Sequence, residues 1–205
     1  MTFALIGDWQ YRECMELNIS QIRKFYAGSK IVIGDLGKNS NWGYPVMKLT
    51  EQTDRECLMM MKPLFLLNCV YQYGQTCLMD GDTVLMQRLD LSGNVVTVRK
   101  SRHGRINSGV VLADDTDFVN AWLSKAISRL GVANISVEQL CEQNALIDVA
   151  DSGKFDIQEV PCEIYNYSSV EKGIPDNVRI VHLKSGRFRK PEMMKTVYEA
   201  IDKNS

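Results

Sequence analysis

The sequence predicts an α/β fold in which a mainly parallel central sheet is flanked by helices. Phe3–Gly7 is a short apolar run typical of a buried strand, and Arg12–Ala27 carries apolar residues at helical spacing. Gly28 ends this predicted helix, and Lys30–Gly34 is a second apolar run. A β-α-β start of this kind favours parallel strands covered by helices. The following segment, 36–48, is rich in turn formers and is predicted to be a loop.

The next elements lead to a third strand of the same sheet. Thr53 and Glu56 form a capping box for a helix that runs towards Tyr73 and is interrupted or kinked near Pro63. An apolar strand over Gln75–Met79 follows.

The second half of the chain continues the alternation of strands and helices. Apolar runs predict strands over Val95–Val98, Ile106–Leu112, Ile157–Val160 and Val178–Leu183. Helical spacing and end signals predict helices over 118–130, from Ser136 onwards, and over Pro191–Asp202.

Composition narrows the class of protein. The 205 residues fit one domain, 1–205, and 45% hydrophobic with 24% charged residues is typical of a soluble globular chain. A net charge of −1 gives no basic field for nucleic acid or a membrane surface. No apolar run approaches the roughly 18–20 residues of a membrane span. The six cysteines are scattered, which favours free thiols in a reducing compartment and hence a cytoplasmic protein.

The most informative motif is Asp80-Gly81-Asp82, which lies between two apolar runs. Two carboxylates at a strand end are suited to hold Mg²⁺ or Mn²⁺, and the glycine allows a backbone or phosphate to approach closely. The alternative is a tight strand–strand turn, for which Asp-Gly is a common signal. An EF-hand is excluded, because Val84 stands where that loop needs an oxygen ligand.

Further candidate groups also follow strands, at the edge where ligands bind in open α/β sheets. Asp8 to Tyr11 follow the first strand, and Asp35 follows the second. Tyr11 could stack on a nucleobase while Asp8 accepts hydrogen bonds from its edge. The alternative makes Asp8 a helix cap and Tyr11 a packing residue.

His182 ends an apolar strand and is one of only two histidines. A neutral imidazole could complete a carboxylate-based Mn²⁺ site, and the alternative is a hydrogen-bonded core histidine. The loop that follows is basic and suited to a diphosphate; it contains Lys184, Gly186, Arg187, Arg189 and Lys190. The other histidine, His103, lies in a basic loop and is expected to be solvated.

Glu142, Gln143 and Asn144 are three consecutive polar residues on a predicted helix. Neighbouring residues on a helix are about 100° apart, so at least one of the three is expected at the surface.

In this order the motifs resemble the GT-A glycosyltransferases, above all the retaining family of bacterial lipopolysaccharide galactosyltransferases and glycogenin. The matches extend from residue 4 to 191 and follow the family's order and spacing. They are D-x-x-Y at Asp8–Tyr11, a basic residue at Lys62, D-x-D at Asp80–Asp82, N-x-G at Asn107–Gly109, D-Q-D at Glu142–Asn144, and H-x-x-G-x-x-K-P at His182–Pro191.

This resemblance implies a mixed, mainly parallel GT-A (Rossmann-like) sheet, with nucleotide binding in about 1–98 and acceptor binding and catalysis in about 99–205. It implies residue sets for metal ligation, donor binding and catalysis, with Asp80 in both of the first two. The metal ligands are Asp80, Asp82 and His182. The donor-binding residues are Gly7, Asp8, Tyr11, Lys62, Asp80, Gly81, Lys184, Gly186 and Lys190. The catalytic residues are Asn107, Glu142, Gln143 and Asn144.

The implied reaction is Mn²⁺- or Mg²⁺-dependent transfer of a sugar, with retention, from a donor like UDP-glucose or UDP-galactose to a glycan or other hydroxyl acceptor. If the enzyme inverts instead, Glu142 is the first candidate for the base. The chain is shorter than most family members. It resembles compact bacterial or viral versions such as chlorovirus glycosyltransferase domains, or one domain of a longer polypeptide, acting in the cytoplasm of a bacterium or a virus-infected host cell.

Two departures from the family pattern affect the site. The last motif has one extra residue on each side of Gly186, so Lys184 and Arg187 are alternatives to Lys190 for the phosphate contact. Asn144 stands where the family has an acid. An amide is a poor nucleophile, which fits front-face displacement better than a glycosyl-enzyme intermediate.

Two other classes of function remain open at this point. A sugar-nucleotide nucleotidyltransferase would share the sheet and the acidic site, but it usually has a glycine-rich basic loop after the first strand, and the segment starting at Gly7-Asp8 is acidic and glycine-poor. A non-catalytic module that binds carbohydrate or nucleotide would bind the donor without turning it over.

Overall fold

The computed structural model describes residues 1–37, 42–48, 55–99, 105–130, 141–184 and 190–203, with the backbone alone at 48, 55–60, 130, 141, 190 and 191. Nine strands lie within these ranges: β1 Thr2–Gly7, β2 Lys30–Asp35, β3 Val46–Lys48, β4 Thr76–Asp80, β5 Thr83–Leu85, β6 Asn94–Val98, β7 Ile106–Ala113, β8 Ile157–Pro161 and β9 Ile180–His182. The α-helices are α1 Arg12–Phe25, α2 Arg55–Tyr73, α3 Thr116–Leu130, α4 Cys141–Asp151, α5 Cys162–Tyr165 and α6 Lys190–Lys203. Two short 3₁₀ helices are Trp9–Tyr11 and Val170–Lys172.

Seven strands form one central sheet in the order β3-β2-β1-β4-β7-β6-β8. Every neighbouring pair is parallel except the two made by β7, which runs antiparallel to β4 and to β6. The carboxyl ends of β1, β2 and β4 therefore share an edge with the start of β7. The fold is mixed α/β with a mainly parallel sheet flanked by helices, as the sequence predicts.

The two faces of the sheet bury separate apolar clusters, because successive side chains of a strand point to opposite faces. In β1, Ala4 and Ile6 belong to one cluster, and Phe3 and Leu5 belong to the other. The first cluster is covered by α2, α3 and α4, with Trp122 fully buried at its centre. The second is covered by α1 through Met15, Ile19 and Ile22.

A second, two-stranded sheet pairs β5 with β9 in antiparallel register, with Thr83 opposite His182 and Leu85 opposite Ile180. A third apolar cluster connects this small sheet to α6, and it includes Val84 and Val181. Two strands alone are marginally stable in water, so the ribbon depends on the helices packed against it, α1 along β5 and α6 through the third apolar cluster.

Most predicted elements are confirmed within one to three residues at each end. One expectation is wrong, because β3 lies inside the segment predicted as a loop, where it adds a parallel edge strand to β2. α2 includes Pro63 and is not interrupted there. Gly81 and Asp82 form a turn between β4 and β5, but the turn does not close a hairpin, because the two strands belong to different sheets. The capping box at Thr53 and the helix cap at Ser136 lie outside the described residues.

The free-thiol expectation agrees with the described cysteines. Cys14, Cys69, Cys77 and Cys162 are buried and form no disulfide, and burial raises the pKa of Cys69 and of Cys77 to about 12. Among the described residues, no helix combines the length and apolar character needed to cross a membrane.

Gly81 lies in close contact with the end of β1. A Cβ at this position would come within 3.0 Å of the Ile6 carbonyl oxygen, 3.1 Å of the Gly7 Cα and 3.1 Å of the Tyr11 Cβ. Two of these atoms belong to the backbone and cannot turn away. The glycine of the motif is therefore required for the approach of the 80–82 segment to β1.

We expect Gly81→Ala to lower the free energy of unfolding by about 1–3 kcal/mol, the usual cost of overpacking. Gly28→Ala is the matched control, because a Cβ at Gly28 has no atom within 4 Å. Urea denaturation of both variants measures the difference. Equal stability of the two variants would contradict the close approach.

Candidate functional site

Two carboxylates and an imidazole meet where the two sheets adjoin. Asp80 is the last residue of β4, Asp82 immediately precedes β5, and His182 is the last residue of β9. The antiparallel pairing of β5 with β9 brings His182 back to Asp82, and the Leu183 N–H donates to the Asp82 carbonyl at 2.8 Å.

The three side chains are close enough to share one ion. His182 Nε2 lies 3.1 Å from Asp82 Oδ1 and 3.8 Å from Asp80 Oδ2. One ligand atom from each residue lies within 4.8 Å of the others. Two carboxylates and one imidazole are a donor set that suits Mn²⁺, and the carboxylates also suit Mg²⁺. These residues therefore fit the cation that the sequence motif predicts.

Lys62 of α2 neutralises part of this negative charge. Its ammonium lies 2.8 Å from Asp80 Oδ1 and 3.4 Å from Glu142 Oε1, and it donates a hydrogen bond to Asp80 Oδ2 at 3.0 Å. Burial of the ammonium works to lower the Lys62 pKa, but the charges of Asp80 and Glu142 outweigh it and the pKa rises. Lys62 is therefore a permanent cation between the two carboxylates.

Burial has the opposite effect on the two acids. Desolvation raises the pKa of Asp80 although Lys62 and His182 work to lower it. Desolvation also raises the pKa of Glu142 against the opposing charge of Lys62 and the hydrogen bond from Ser108. Burial therefore penalises the charged form of both carboxylates, and their ionisation costs the fold free energy.

Glu142 is fully buried at the start of α4. Its Oε1 accepts a hydrogen bond from the Ser108 hydroxyl at 2.9 Å, and its backbone carbonyl accepts one from the Trp122 indole at 2.7 Å. Its other carboxylate oxygen, Oε2, is buried without a hydrogen-bond partner among the described residues. An unsatisfied buried carboxylate oxygen is costly, which is typical of a group that meets a ligand.

Of the three consecutive polar residues, Glu142 and Gln143 are buried, and Asn144 is half-buried and keeps part of its surface exposed, in line with the expectation from helical geometry. α4 is enclosed because it packs on α3, α2 and β7 at once. Gln143 Oε1 accepts a hydrogen bond from the Asn107 amide at 3.0 Å, which brings two of the predicted catalytic residues together.

Behind His182 is a buried amide that the sequence reasoning missed. Asn166 Oδ1 lies 2.6 Å from His182 Nδ1, while its Nδ2 donates to Asn107 Oδ1 and, at 3.1 Å, to Thr97 Oγ1. Asn166 follows α5, a four-residue helix that no periodicity predicts. No motif marks this asparagine, so only the three-dimensional contact reveals it.

Gly109 makes room for the imidazole. A Cβ there would lie 2.6 Å from His182 Cε1 and 2.8 Å from His182 Nδ1. The register between β6 and β7 shifts beside it, since Val96 is opposite Val111 but Thr97 is opposite Asn107. Bulges of this kind commonly re-aim side chains near functional sites.

The residues after β1 lie at the same edge of the sheet. The Asp8 carboxylate accepts a hydrogen bond from the Gln10 N–H at 2.8 Å and so caps the first 3₁₀ helix. Tyr11 is partly buried against the second apolar cluster, the one that α1 covers. Between them Trp9 is 66% exposed, an aromatic surface to which the sequence reasoning gave no role. Asp35 is buried and caps its own turn through the Gly37 N–H at 2.9 Å.

The basic end of the last motif is only partly described. Lys184 is exposed, and Lys190 is the first residue of α6. Gly186, Arg187 and Arg189 lie outside the described residues, as do His103 and the side chain of Lys190. The diphosphate contacts predicted for this loop remain predictions.

No protein-family model matches this sequence, and no curated protein matches it at the sequence level. The fold does match solved structures. One of them is described as the crystal structure of a glycosyltransferase involved in the glycosylation of the major capsid of PBCV-1. The match has a TM-score of 0.63 at 11% identity and covers 94% of this chain and 99% of that chain. This chain therefore has the Rossmann-like α/β fold of a glycosyltransferase.

Replacing Glu142 by Gln tests its buried charge through the pH dependence of stability. A carboxyl with a raised folded pKa holds its proton more tightly in the folded state. Stability then falls as pH rises from the ordinary value of 4.5 through the raised one. The wild type should therefore lose stability relative to Glu142→Gln as pH rises through this window. The free energies of unfolding of the two proteins are compared in buffer with a chelator.

Exposed Glu13 of α1 gives the control, since Glu13→Gln removes a carboxylate from the solvent side. A pH-independent difference between Glu142→Gln and the wild type would show that Glu142 bears no burial penalty.

Proposed function

We propose that this protein is a metal-dependent GT-A glycosyltransferase that moves a sugar from a UDP-sugar donor to a glycan or other hydroxyl acceptor with retention of configuration. The observation that carries the proposal is the meeting of Asp80, Asp82 and His182 at the ligand-binding edge of a sheet with a glycosyltransferase's fold.

The donor set of the site supports a divalent cation. Among the described residues, the carboxylates of Asp80 and Glu142 contact the Lys62 ammonium, and that of Asp82 contacts the His182 imidazole. We assign Asp80, Asp82 and His182 as the ligands of Mn²⁺ or Mg²⁺. Such a cation, when bound, would neutralise the negative charge that develops on the diphosphate as UDP leaves.

The phosphate side of the donor is assigned to the basic loop after β9. Gly186 and Lys190 carry the family's pattern there, with Lys184 and Arg187 as alternatives for the phosphate contact, and the basic side chains of this loop would add positive charge beside the diphosphate. A loop that closes over the donor would also exclude water, which otherwise hydrolyses an oxocarbenium-like sugar.

The sugar is assigned to the buried polar groups at the start of α4 and β7. Glu142 Oε2 lacks a partner and can accept a hydrogen bond from a sugar hydroxyl. Gln143 and Asn107 hold each other in place through their amide hydrogen bond. Asn144 completes the catalytic set, and as an amide it favours front-face displacement over a covalent intermediate.

The nucleobase is assigned to the residues after β1. Tyr11 supplies an aromatic ring, and Asp8 supplies a carboxylate whose other oxygen can accept from uracil N–H while the first caps the 3₁₀ helix. Gly7 allows the end of β1 to lie close to Gly81. The residues assigned to the base and those assigned to the diphosphate can therefore contact the same donor molecule.

A panel of nucleotide sugars separates this function from its rivals. We expect thermal stabilisation by UDP-sugars only with Mn²⁺ or Mg²⁺, followed by release of UDP on turnover. Pyrophosphate release from a nucleoside triphosphate and a sugar phosphate would instead indicate a nucleotidyltransferase. Donor binding with no turnover against any hydroxyl acceptor would indicate a binding module.

Asp82→Asn should weaken Mn²⁺-dependent UDP binding by at least about tenfold. Even residues that only hydrogen-bond to a metal ligand typically change metal affinity by about 10–100-fold when they are replaced. The fold should be retained, since the amide has the size of the carboxylate and Asp82 is at the edge of the buried region. Exposed Asp90, between β5 and β6, is the control through Asp90→Asn. Calorimetry that finds the same Mn²⁺–UDP affinity in Asp82→Asn would refute the metal assignment.

Tyr11→Ala should cost UDP affinity of roughly 1–3 kcal/mol, the usual worth of a base stacked on an aromatic ring. Tyr11→Phe keeps the ring and should bind UDP as the wild type does. Asp8→Ala should reduce the preference for UDP over CDP, and neither change should affect binding of Mn²⁺-pyrophosphate. Equal affinity of the wild type for UDP, GDP and ADP would refute the uracil assignment alone.

A further inference from the structure

The imidazole of His182 is held from behind by a chain of buried amides. Asn166 is 2% exposed and faces His182 Nδ1 with Oδ1 at 2.6 Å. Its Nδ2 faces two oxygens, Asn107 Oδ1 and Thr97 Oγ1. The orientation of each amide in this chain decides which ring nitrogen of His182 carries hydrogen.

The orientation of Asn107 is fixed by a backbone group. The Gly109 N–H can only donate, and it donates to Asn107 Oδ1 at 3.2 Å. The other end of this amide, Nδ2, donates to Gln143 Oε1 at 3.0 Å. The atom of Asn107 that faces Asn166 is therefore an oxygen.

The orientation of Asn166 follows from that of Asn107. An acceptor at Asn107 Oδ1 requires the NH₂ of Asn166 on that side, and Thr97 agrees because its hydroxyl hydrogen is already donated to the Asn107 carbonyl at 2.9 Å. Asn166 therefore presents its oxygen to His182. Two acceptors cannot form a bond, so His182 Nδ1 must carry the hydrogen.

In the neutral ring, hydrogen on Nδ1 leaves a lone pair on Nε2. That lone pair faces Asp82 Oδ1 at 3.1 Å and Asp80 Oδ2 at 3.8 Å. A lone pair beside two carboxylate oxygens is repulsive unless a positive centre lies between them. Gly109 lies close to the ring on its other side, where a Cβ would come within 2.6 Å of His182 Cε1.

We propose that Asn166 is a positioning residue that fixes His182 as the Nδ1–H tautomer and so aims the Nε2 lone pair at the cation held by Asp80 and Asp82. Outer hydrogen bonds of this kind set the tautomer and orientation of metal-binding histidines. The cation part of this inference rests on the proposed function, whereas the tautomer stands on the hydrogen bonds alone.

The tautomer can be observed directly, because the chain has only two histidines. Long-range ¹H–¹⁵N NMR of histidine-labelled protein, at a pH where imidazole is neutral, distinguishes protonated from unprotonated ring nitrogens. His182→Ala assigns the signals. We expect His182 to show a protonated Nδ1 and an unprotonated Nε2 in the wild type. A protonated Nε2 would overturn the inference whatever the variants do.

Two buried substitutions provide a matched comparison. Asn166→Ala removes the acceptor at Nδ1, and the hydrogen should then move to Nε2, which faces the Asp82 and Asp80 carboxylates. Thr97→Val removes the other partner of Asn166 together with the hydroxyl's bond to the Asn107 carbonyl, and it should leave the tautomer unchanged, since Asn107 Oδ1 still fixes the amide. An unchanged tautomer in folded Asn166→Ala would overturn the role of this residue.

Calorimetry with Mn²⁺ alone tests the consequence for the cation. Asn166→Ala should lose about 10–100-fold in affinity, the effect of removing an outer partner, whereas Thr97→Val should lose little. Equal Mn²⁺ affinity in the wild type and Asn166→Ala would overturn the positioning role while sparing the proposed function. Failure of the wild type to bind Mn²⁺ would count against the proposed metal site, and the NMR spectrum would still decide the tautomer.

Discussion

The candidate site depends above all on the antiparallel pairing of β5 with β9. Asp80 ends β4 and Asp82 immediately precedes β5, whereas His182 lies far along the chain at the end of β9, and this short ribbon is what joins them. Its hydrogen bonds fix the backbone of Asp82 against Leu183. The ribbon is itself stabilised by apolar packing on α6, far from any ligand atom. Substitutions in that cluster are therefore expected to act on the site without touching it, because they loosen the register that brings the imidazole to the carboxylates.

The second constraint is electrostatic. Asp80 and Glu142 are desolvated, and Lys62 between them offsets only part of the cost. Breaking a buried ion pair by removing one partner typically costs about 3–5 kcal/mol, so Lys62 is required for the fold whatever else it does. The remaining negative charge, with an unpartnered oxygen at Glu142, lowers stability in the absence of a ligand. Such an arrangement is expected where stability has been traded for binding.

The sequence predicts the fold well because long apolar runs and amphipathic helices follow the two periods of strands and helices. It fails at β3, whose three residues add an edge strand too short to carry a pattern. The motif residues Asp80, Asp82 and His182 were found because their chemistry is unusual at strand ends. Asn166 was not, since a buried asparagine has no spacing rule and is recognised only through its partners. The burial of Glu142 together with its neighbour Gln143 was also unpredictable. Helical geometry gives the angle between neighbouring side chains, but it does not say on how many sides other elements enclose the helix.

The segment Asn107-Ser108-Gly109 connects the two halves of the site through three different physical means. Asn107 joins the amide behind His182 to the amide of Gln143, Ser108 donates to Glu142, and Gly109 gives the imidazole its space. The register shift of β7 against β6 occurs at this point, because Asn107 is paired with Thr97 and the next pair is Val111 with Val96. Asn107 contacts both the amide behind His182 and Gln143, so a displacement of the imidazole would be transmitted to Gln143. The residues proposed for the metal and those proposed for the sugar are thus linked, and the geometry of either set constrains the other.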